Sequence, residues 1–448
     1  MLDGLTKLKF SKNPFILFAP FLLFYIGLVI CFPTHGRTGD EGRYLIYAQY
    51  MYNGVLPSTE AGIDILGNGP GYSIILMPFV LLHLPLIWIT LLNAFLYYLS
   101  IILLFKTSLL IVSFRKAFLV SLFWACYYNS YENMVLILPE VFIGFLICLL
   151  MFFIIKAFSQ INWKKQYIYI FFSGIILGYI AITKPIFGYV LLVILIGAGT
   201  LWFIKKDSVN YKKVVLISLL SLISTIPYLI YTYNSTGKLY YWSTFGGNNL
   251  YWMSSPIEGE YGSWLPDPKP SSDSPASAGS GNGVGIKDAQ DFDDDASYNH
   301  LIFLRHEKDF KKIGLLSGVE RDDAYKKIAI KNIKSNPGKF LTNCLSNIGR
   351  IFFNFPFSYK LQHPSTLLRL PLSGTLLFLT IFSLFPTFIN WKKLIFPIKF
   401  MVFFAFLYLG GSVFASAESR MLTPIVPILL FWISFVIQKS LKLNYHWK

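Results

Sequence analysis

The chain has 448 residues, of which 54% are hydrophobic, 18% aromatic and only 14% charged. A soluble protein of this length could not hide so many Phe, Ile, Leu and Tyr side chains, so the composition reads as an integral membrane protein. The formal net charge of +16 does not point to nucleic acid, because the basic residues form no single patch and fall in short clusters between apolar runs, as topology determinants do.

A bilayer core takes about 20 apolar residues per helix. Runs of that kind lie near 14–32, 86–105, 117–133, 134–155, 167–183, 186–204, 214–233, 366–389, 394–415 and 421–438, which predicts ten spans. No small-residue cleavage site follows the first run, and that run is long enough to span, so it is expected to stay. Basic residues recur at every second connector. Lys7, Lys9 and Lys12 precede the first span; Arg115-Lys116, Lys156 with Lys164-Lys165, Lys205-Lys206 with Lys212-Lys213, Lys392-Lys393 and the tail Lys439, Lys442 and Lys448 follow. The positive-inside bias then predicts both termini in the cytoplasm and the intervening connectors outside. The four cysteines (Cys31, Cys126, Cys148, Cys344) lie in or beside apolar segments with no CxxC spacing, and suggest neither a disulfide framework nor a zinc site.

Two long segments are expected outside. The first, 33–85, opens with Gly39-Asp40-Glu41 and continues into a helix closed by Asn53-Gly54. It then reaches Asn68-Gly69-Pro70-Gly71 and an apolar run ending at Leu84, too short to cross and therefore re-entrant or interfacial. The second, 234–365, holds an aromatic stretch from Tyr240 to Trp264 and a Pro/Ser/Gly/Asp-rich linker from Pro266 to Asp295. A basic amphipathic helix over Asp322–Ser335 follows, and Asn336-Pro337 opens another. The expected organisation is an N-terminal transmembrane module (1–233) carrying the first external loop, an external insertion (234–365), and C-terminal transmembrane helices (366–448).

Ionisable groups at a membrane boundary are costly to desolvate, so they are functional candidates by default. Asp40 and Glu41 are the strongest; the structural alternative is that Asp40 is an N-cap and Arg43 pairs with either acid. By the predicted topology Glu132, Glu140, Lys184, Glu418 and Arg420 share their side of the membrane. Acids and bases would thus gather where a membrane-anchored anionic substrate presents its head group. Asp291, Asp293, Asp294 and Asp295 could gather a divalent ion, but a solvated acidic loop explains them better.

These residues carry a resemblance. Gly39-Asp40-Glu41 with Tyr44, Gly69-Pro70-Gly71, Pro139-Glu140 and Gly178 through Thr183-Lys184-Pro185 come first. Asn248-Asn249-Leu250, Asn336-Pro337-Gly338-Lys339 and Glu418-Ser419-Arg420 with Pro424 and Pro427 follow. In this order and sidedness the chain resembles the GT-C superfamily of membrane glycosyltransferases, particularly bacterial relatives of protein O-mannosyltransferases and the lipid A aminoarabinose transferase. The resemblance implies an all-α polytopic fold, a bundle of about ten transmembrane helices with external juxtamembrane helices and a large external loop. It implies an inverting transfer of a sugar from a polyprenyl-phosphate donor to a hydroxyl acceptor at the outer face of the cytoplasmic membrane. Asp40 and Glu41 would be the catalytic pair, with Asp40 the base, and Lys184 and Arg420 would bind the donor phosphate. Arg43, Asn68, Glu140, Asn249 and Glu418 would contact substrate. Partners are then the lipid-linked donor, the acceptor and the bilayer, with no nucleic acid and no cofactor. The chain departs from the aminoarabinose transferases, whose first loop has Lys-Pro-Pro where Asn68-Gly69-Pro70 stands here. No Asp-x-Asp follows the first span, so a metal-assisted mechanism is not supported.

Two other classes fit less well. An O-antigen ligase or polymerase, with a lipid-pyrophosphate donor, would favour several arginines in the short external connectors, and few stand there. A secondary transporter would carry charges near the midplane of paired, broken helices, and no halves repeat.

Overall fold

The structure is a computed structural model; it describes residues 13–36, 39–54, 65–205, 209–265, 296–359, 364 and 366–440. The described residues form eighteen α-helices joined by short 3₁₀ turns, with no strand. The acidic run Asp291–Asp295 lies outside them.

Among the described residues, eight segments are long and apolar enough to cross a bilayer: Ile87–Leu109, Glu140–Ser159, Trp163–Thr183, Ile186–Ile204, Val209–Thr236, Thr366–Ile389, Phe396–Phe414 and Ser419–Lys439. The chain is a multi-pass membrane protein. Pro70–Leu81 is the short apolar helix expected in the first loop, and Asp40–Tyr52 ends at Asn53-Gly54 as expected, with Gly54 at φ +68°.

The first and third expected spans are broken, each for a visible reason. Pro14–Leu17 and Ala19–Cys31 are separated at Phe18. Pro20 has no N–H to return to residue 16, which weakens the helix at this point, and here it breaks. The run read as 117–133 divides into Phe114–Ala125 and Tyr128–Met134. Here tertiary donors take the carbonyls a continuing helix would use: Tyr97 donates to the Trp124 oxygen, while Tyr25 and Tyr131 both donate to that of Ala125 at 2.7 Å.

In lipid, helices associate through close packing rather than through exclusion from water, so small residues mark their crossings. Trp163–Thr183 carries Gly174 and Gly178 one helical turn apart, facing Val209–Thr236. A Cβ on Gly174 would stand 2.5 Å from that of Leu220, and one on Gly178 would stand 2.8 Å from the Ser221 carbonyl oxygen. Ser221 Oγ closes the crossing by donating to the Gly174 oxygen at 2.8 Å. Gly178→Leu is therefore expected to cost at least about 1–3 kcal/mol. The measurement is thermal unfolding of the purified protein followed by tryptophan fluorescence; an unchanged transition would mean that these helices do not cross there.

Between Val209–Thr236 and Thr366–Ile389 the described residues form a small helical cap. Gly246–Met253 lies on Gly318–Ser335, and the Gly247 N–H donates to Asp322 Oδ1 at 2.5 Å while Tyr241 donates to Oδ2 at 2.9 Å. Burial pushes the Asp322 carboxyl up, partly offset by these donors. Sequence reading began the basic helix at Asp322; the helix begins a turn earlier, at Gly318, which places Asp322 inside it and buried. A further helix, Ala296–Ile313, brings His306 Nε2 to 3.0 Å from Glu260 Oε1 and His306 Nδ1 to 2.6 Å from the Tyr251 hydroxyl. Burial pushes the Glu260 carboxyl up, but His306, Ser255 and Tyr359 outweigh it and hold it below its usual value. A buried polar network with its groups satisfied in this way rigidifies the cap.

Candidate active site

The polar residues at one end of the bundle sit where helices start or stop. Pro139 ends a connector and Glu140 opens Glu140–Ser159, where the positive helix end favours its carboxylate. Trp163–Thr183 stops before Lys184, and Pro185 starts the next helix. Lys184 Nζ reaches Glu140 Oε1 at 3.1 Å, and Glu140 is 2% exposed. Burial opposes the Lys184 charge, but Tyr408 and Glu140 outweigh it, so the ammonium titrates above its ordinary value. The second Glu140 oxygen is buried without a hydrogen-bond partner.

Asp40 comes to the same end from the first loop. Gly39, at φ +40°, is the N-cap of Asp40–Tyr52, so Asp40 occupies the first turn and is not the cap that the sequence allowed. Its carboxylate is held between two guanidinium groups. Arg43 pairs with Oδ1 from one turn along, and Arg420 Nη1 lies 2.5 Å from Oδ2. Arg420 arrives on the Ser419–Met421 turn, and its Nε lies 3.0 Å from Glu418 Oε2. Tyr44 joins this group to the Lys184 pair: its phenol is pushed up by burial and by Glu140, and drawn down by Arg420 and Arg43. Three carboxylates and three cations thus share one end of the bundle.

Close backbone approaches fix the loop around them. A Cβ on Gly69 would stand 2.9 Å from the Ile182 carbonyl carbon, and one on Gly71 would stand 2.8 Å from the Thr183 Cα, so both positions need glycine. Tyr179 donates to the Gly71 oxygen at 2.8 Å. These contacts press the start of Pro70–Leu81 onto the chain just before Lys184. The cap joins from above: the Arg43 guanidinium lies 5.1 Å from the Phe245 ring centroid, and Ser243 donates to the Gly67 oxygen at 2.8 Å.

Of the residues singled out by sequence, Asp40, Arg43, Glu140, Lys184, Glu418 and Arg420 come together. Asn68 sits in the same loop with its Nδ2 buried and unpartnered. Asn249 lies half-buried in Gly246–Met253, next to Asn248, whose Oδ1 is buried without a partner. Glu41 is separated from its neighbour. It is 1% exposed, and Oε1 accepts from the Ile137 N–H and the Thr34 hydroxyl at 2.8 Å each. It latches the first loop to the connector before Glu140.

Sequence reading missed Arg369. It lies in the first turn of Thr366–Ile389, is 7% exposed and pairs with Glu132. The signal was an arginine within an otherwise apolar span.

No family model and no curated protein matches the sequence. Solved structures do. The chain aligns over 96% of its length with a crystal structure of the Archaeoglobus fulgidus oligosaccharyltransferase tethered with an acceptor peptide containing the NVT sequon via a disulfide bond, at TM-score 0.51 and 11% identity. A second structure, the archaeal oligosaccharyltransferase AglB from the same organism in complex with an inhibitory peptide and a dolichol-phosphate, aligns over 94% at TM-score 0.49 and 12% identity. The fold is GT-C-like. The chain spans half the length of each of those proteins.

A divalent cation does not suit the residues described. No group of three His, Cys, Asp or Glu side chains gathers among them, Asp40 already lies between two arginines, and Glu140 is paired with Lys184.

Proposed function

We propose that the protein is an inverting glycosyltransferase that moves a sugar from a polyprenyl-phosphate donor to a hydroxyl acceptor at the outer face of the cytoplasmic membrane. The observation that carries this reading is the position of Asp40 between Arg420 and Arg43, beside the Lys184–Glu140 pair, at one end of a GT-C-like bundle. Both termini would be cytoplasmic, as the Lys and Arg clusters at alternate connectors favour.

In the proposed reaction the acceptor oxygen forms a bond to the anomeric carbon while the bond from that carbon to the phosphate oxygen breaks. The acceptor proton passes to the Asp40 carboxylate, and the leaving electron pair stays on the lipid phosphate. Arg420 and Lys184 would balance the charge on that phosphate. In the substrate-free arrangement Arg420 neutralises Asp40; an incoming phosphate competes for the guanidinium and frees the carboxylate to act as base. Asn68, Asn249 and Glu418 would contact sugar or acceptor, and Glu41 would position the loop.

The test is transfer from radiolabelled polyprenyl-phosphate sugars by the purified protein in lipid, together with a comparison of envelope glycans from cells with and without it. Labelled product and a missing glycan are the expected results. Glycans that do not differ, with no transfer from any polyprenyl-phosphate sugar tried, would defeat the reading.

A further inference from the structure

The helix Pro337–Phe353 is inside out by the standards of a water-soluble protein. Leu341, Leu345 and Ile348 are 61%, 69% and 38% exposed, whereas Asn343, Asn347 and Arg350 are all fully buried. Residues four and three apart share a helix face, so the three polar residues form one inward stripe. An apolar face turned outward suits a helix lying against lipid. The inward stripe is where the chemistry lies.

Asn347 is the centre of that stripe. Its Nδ2 lies 3.0, 3.0 and 2.6 Å from the carbonyl oxygens of Ser412, Val413 and Ala415. The last carbonyls of any helix lack intrahelical partners, so the amide caps the C-terminus of Phe396–Phe414 from outside. Its Oδ1 accepts from the Ala417 N–H at 3.1 Å and from Arg350 Nη2 at 3.0 Å. One amide therefore holds both ends of the non-helical stretch that leads into Arg420. Asn354, which caps the C-terminus of Pro337–Phe353, accepts from Ser419 Oγ at 3.2 Å. The flanking members of the stripe hold the cap: Asn343 donates to the Met253 and Ser255 oxygens at 3.1 Å, and Arg350 Nη1 donates to the Tyr261 oxygen at 2.7 Å.

We infer that Asn347 is a positioning residue that aims Arg420 at the anion-binding site, and that Pro337–Phe353 couples the placement of the cap to that of Arg420. The inference rests on the functional reading above. Ala415-Ser416-Ala417 is an extended stretch whose last two residues are buried, but its side chains are too small to direct by themselves the arginine that follows. The amide supplies the direction, and Arg350 locks the amide's orientation by taking the side of Oδ1 that Ala417 does not.

The experiment uses the full chain in lipid nanodiscs and undecaprenyl phosphate as the probe, since a lipid phosphate is the product whatever the sugar. Affinity is measured for wild type, Arg420→Ala, Asn347→Leu and the double variant. Each single change is expected to weaken binding on the order of tenfold or more, the range for loss of a charge-assisted contact. The double variant is expected to bind no worse than Arg420→Ala, because the amide acts only through the arginine. A merely structural role would give additive losses. If Asn347→Leu does not fold, Asn347→Gln keeps the amide, moves it by one methylene, and must show the same non-additivity. Weak binding by Arg420→Ala with wild-type binding by the Asn347 variants, or with additive losses, overturns this inference alone. Wild-type binding by Arg420→Ala overturns the functional reading and this inference with it.

Discussion

Asp40→Asn is expected to fold and to transfer sugar ~10²–10⁴-fold more slowly than wild type, the usual worth of a general base. The substitution keeps the shape of the side chain and one oxygen for Arg43 or Arg420, and removes only the ability to take a proton. The helix cap is not disturbed, because Gly39 holds that position. Loss of a negative charge in the first turn costs about 0.3–1 kcal/mol of helix stability, far too little to mimic the kinetic effect. The loss should fall on kcat rather than on donor KM, since removing an anion between two arginines does not weaken their hold on a phosphate. Glu41→Gln is the contrast. Its carboxylate is buried against the Ile137 N–H and the Thr34 hydroxyl, so the variant should lose about 1–3 kcal/mol of stability while the chemical step changes much less. Near wild-type transfer by Asp40→Asn with none by Glu41→Gln would move the base to Glu41. Activity in both would make the acids structural and the proposed mechanism wrong.

Much of this site is legible in the sequence because it is made of charges at the ends of apolar runs. Glu140 follows Pro139, Lys184 precedes Pro185, and Arg420 stands between two long hydrophobic stretches. Each such residue must be paired or solvated, and a shared end of the bundle allows both. What is not legible depends on tertiary partners. The break after Ala125 arises from hydroxyls of Tyr25, Tyr97 and Tyr131 that seek carbonyls on another helix or turn. The adjacent acids Asp40 and Glu41 look alike in a sequence and diverge by about 100° on a helix, so one meets arginines and the other a backbone N–H. The stripe Asn343, Asn347 and Arg350 reads as a solvated helix face under ordinary amphipathic logic. In a membrane that logic inverts, and the polar face is the buried one.

Arg420→Ala should lower transfer by ~10²–10³-fold, the range seen when one preorganised donor to a developing charge is lost. The arginine is the cleaner probe of phosphate binding than Lys184. Lys184 is the partner of a buried carboxylate, and removing it leaves Glu140 without its ammonium and with one oxygen already unpartnered. Breaking a buried pair from one side costs about 3–5 kcal/mol, so Lys184→Ala would confound folding with function. Arg420 carries less of that liability, because Asp40 keeps Arg43 when it is gone and Glu418 is exposed enough to be solvated. Its guanidinium reaches Asp40 through Nη1 and Glu418 through Nε at once, a fork that a lysine ammonium cannot reproduce. Arg420→Lys is therefore expected to restore charge and part of the donor affinity without restoring the rate. Donor saturation curves for the two variants separate these effects: a raised KM in Arg420→Ala that recovers in Arg420→Lys reports the charge, and a kcat that stays low in both reports the fork. Unchanged saturation kinetics in Arg420→Ala would remove the arginine from phosphate binding and leave it a structural partner of Asp40 and Glu418.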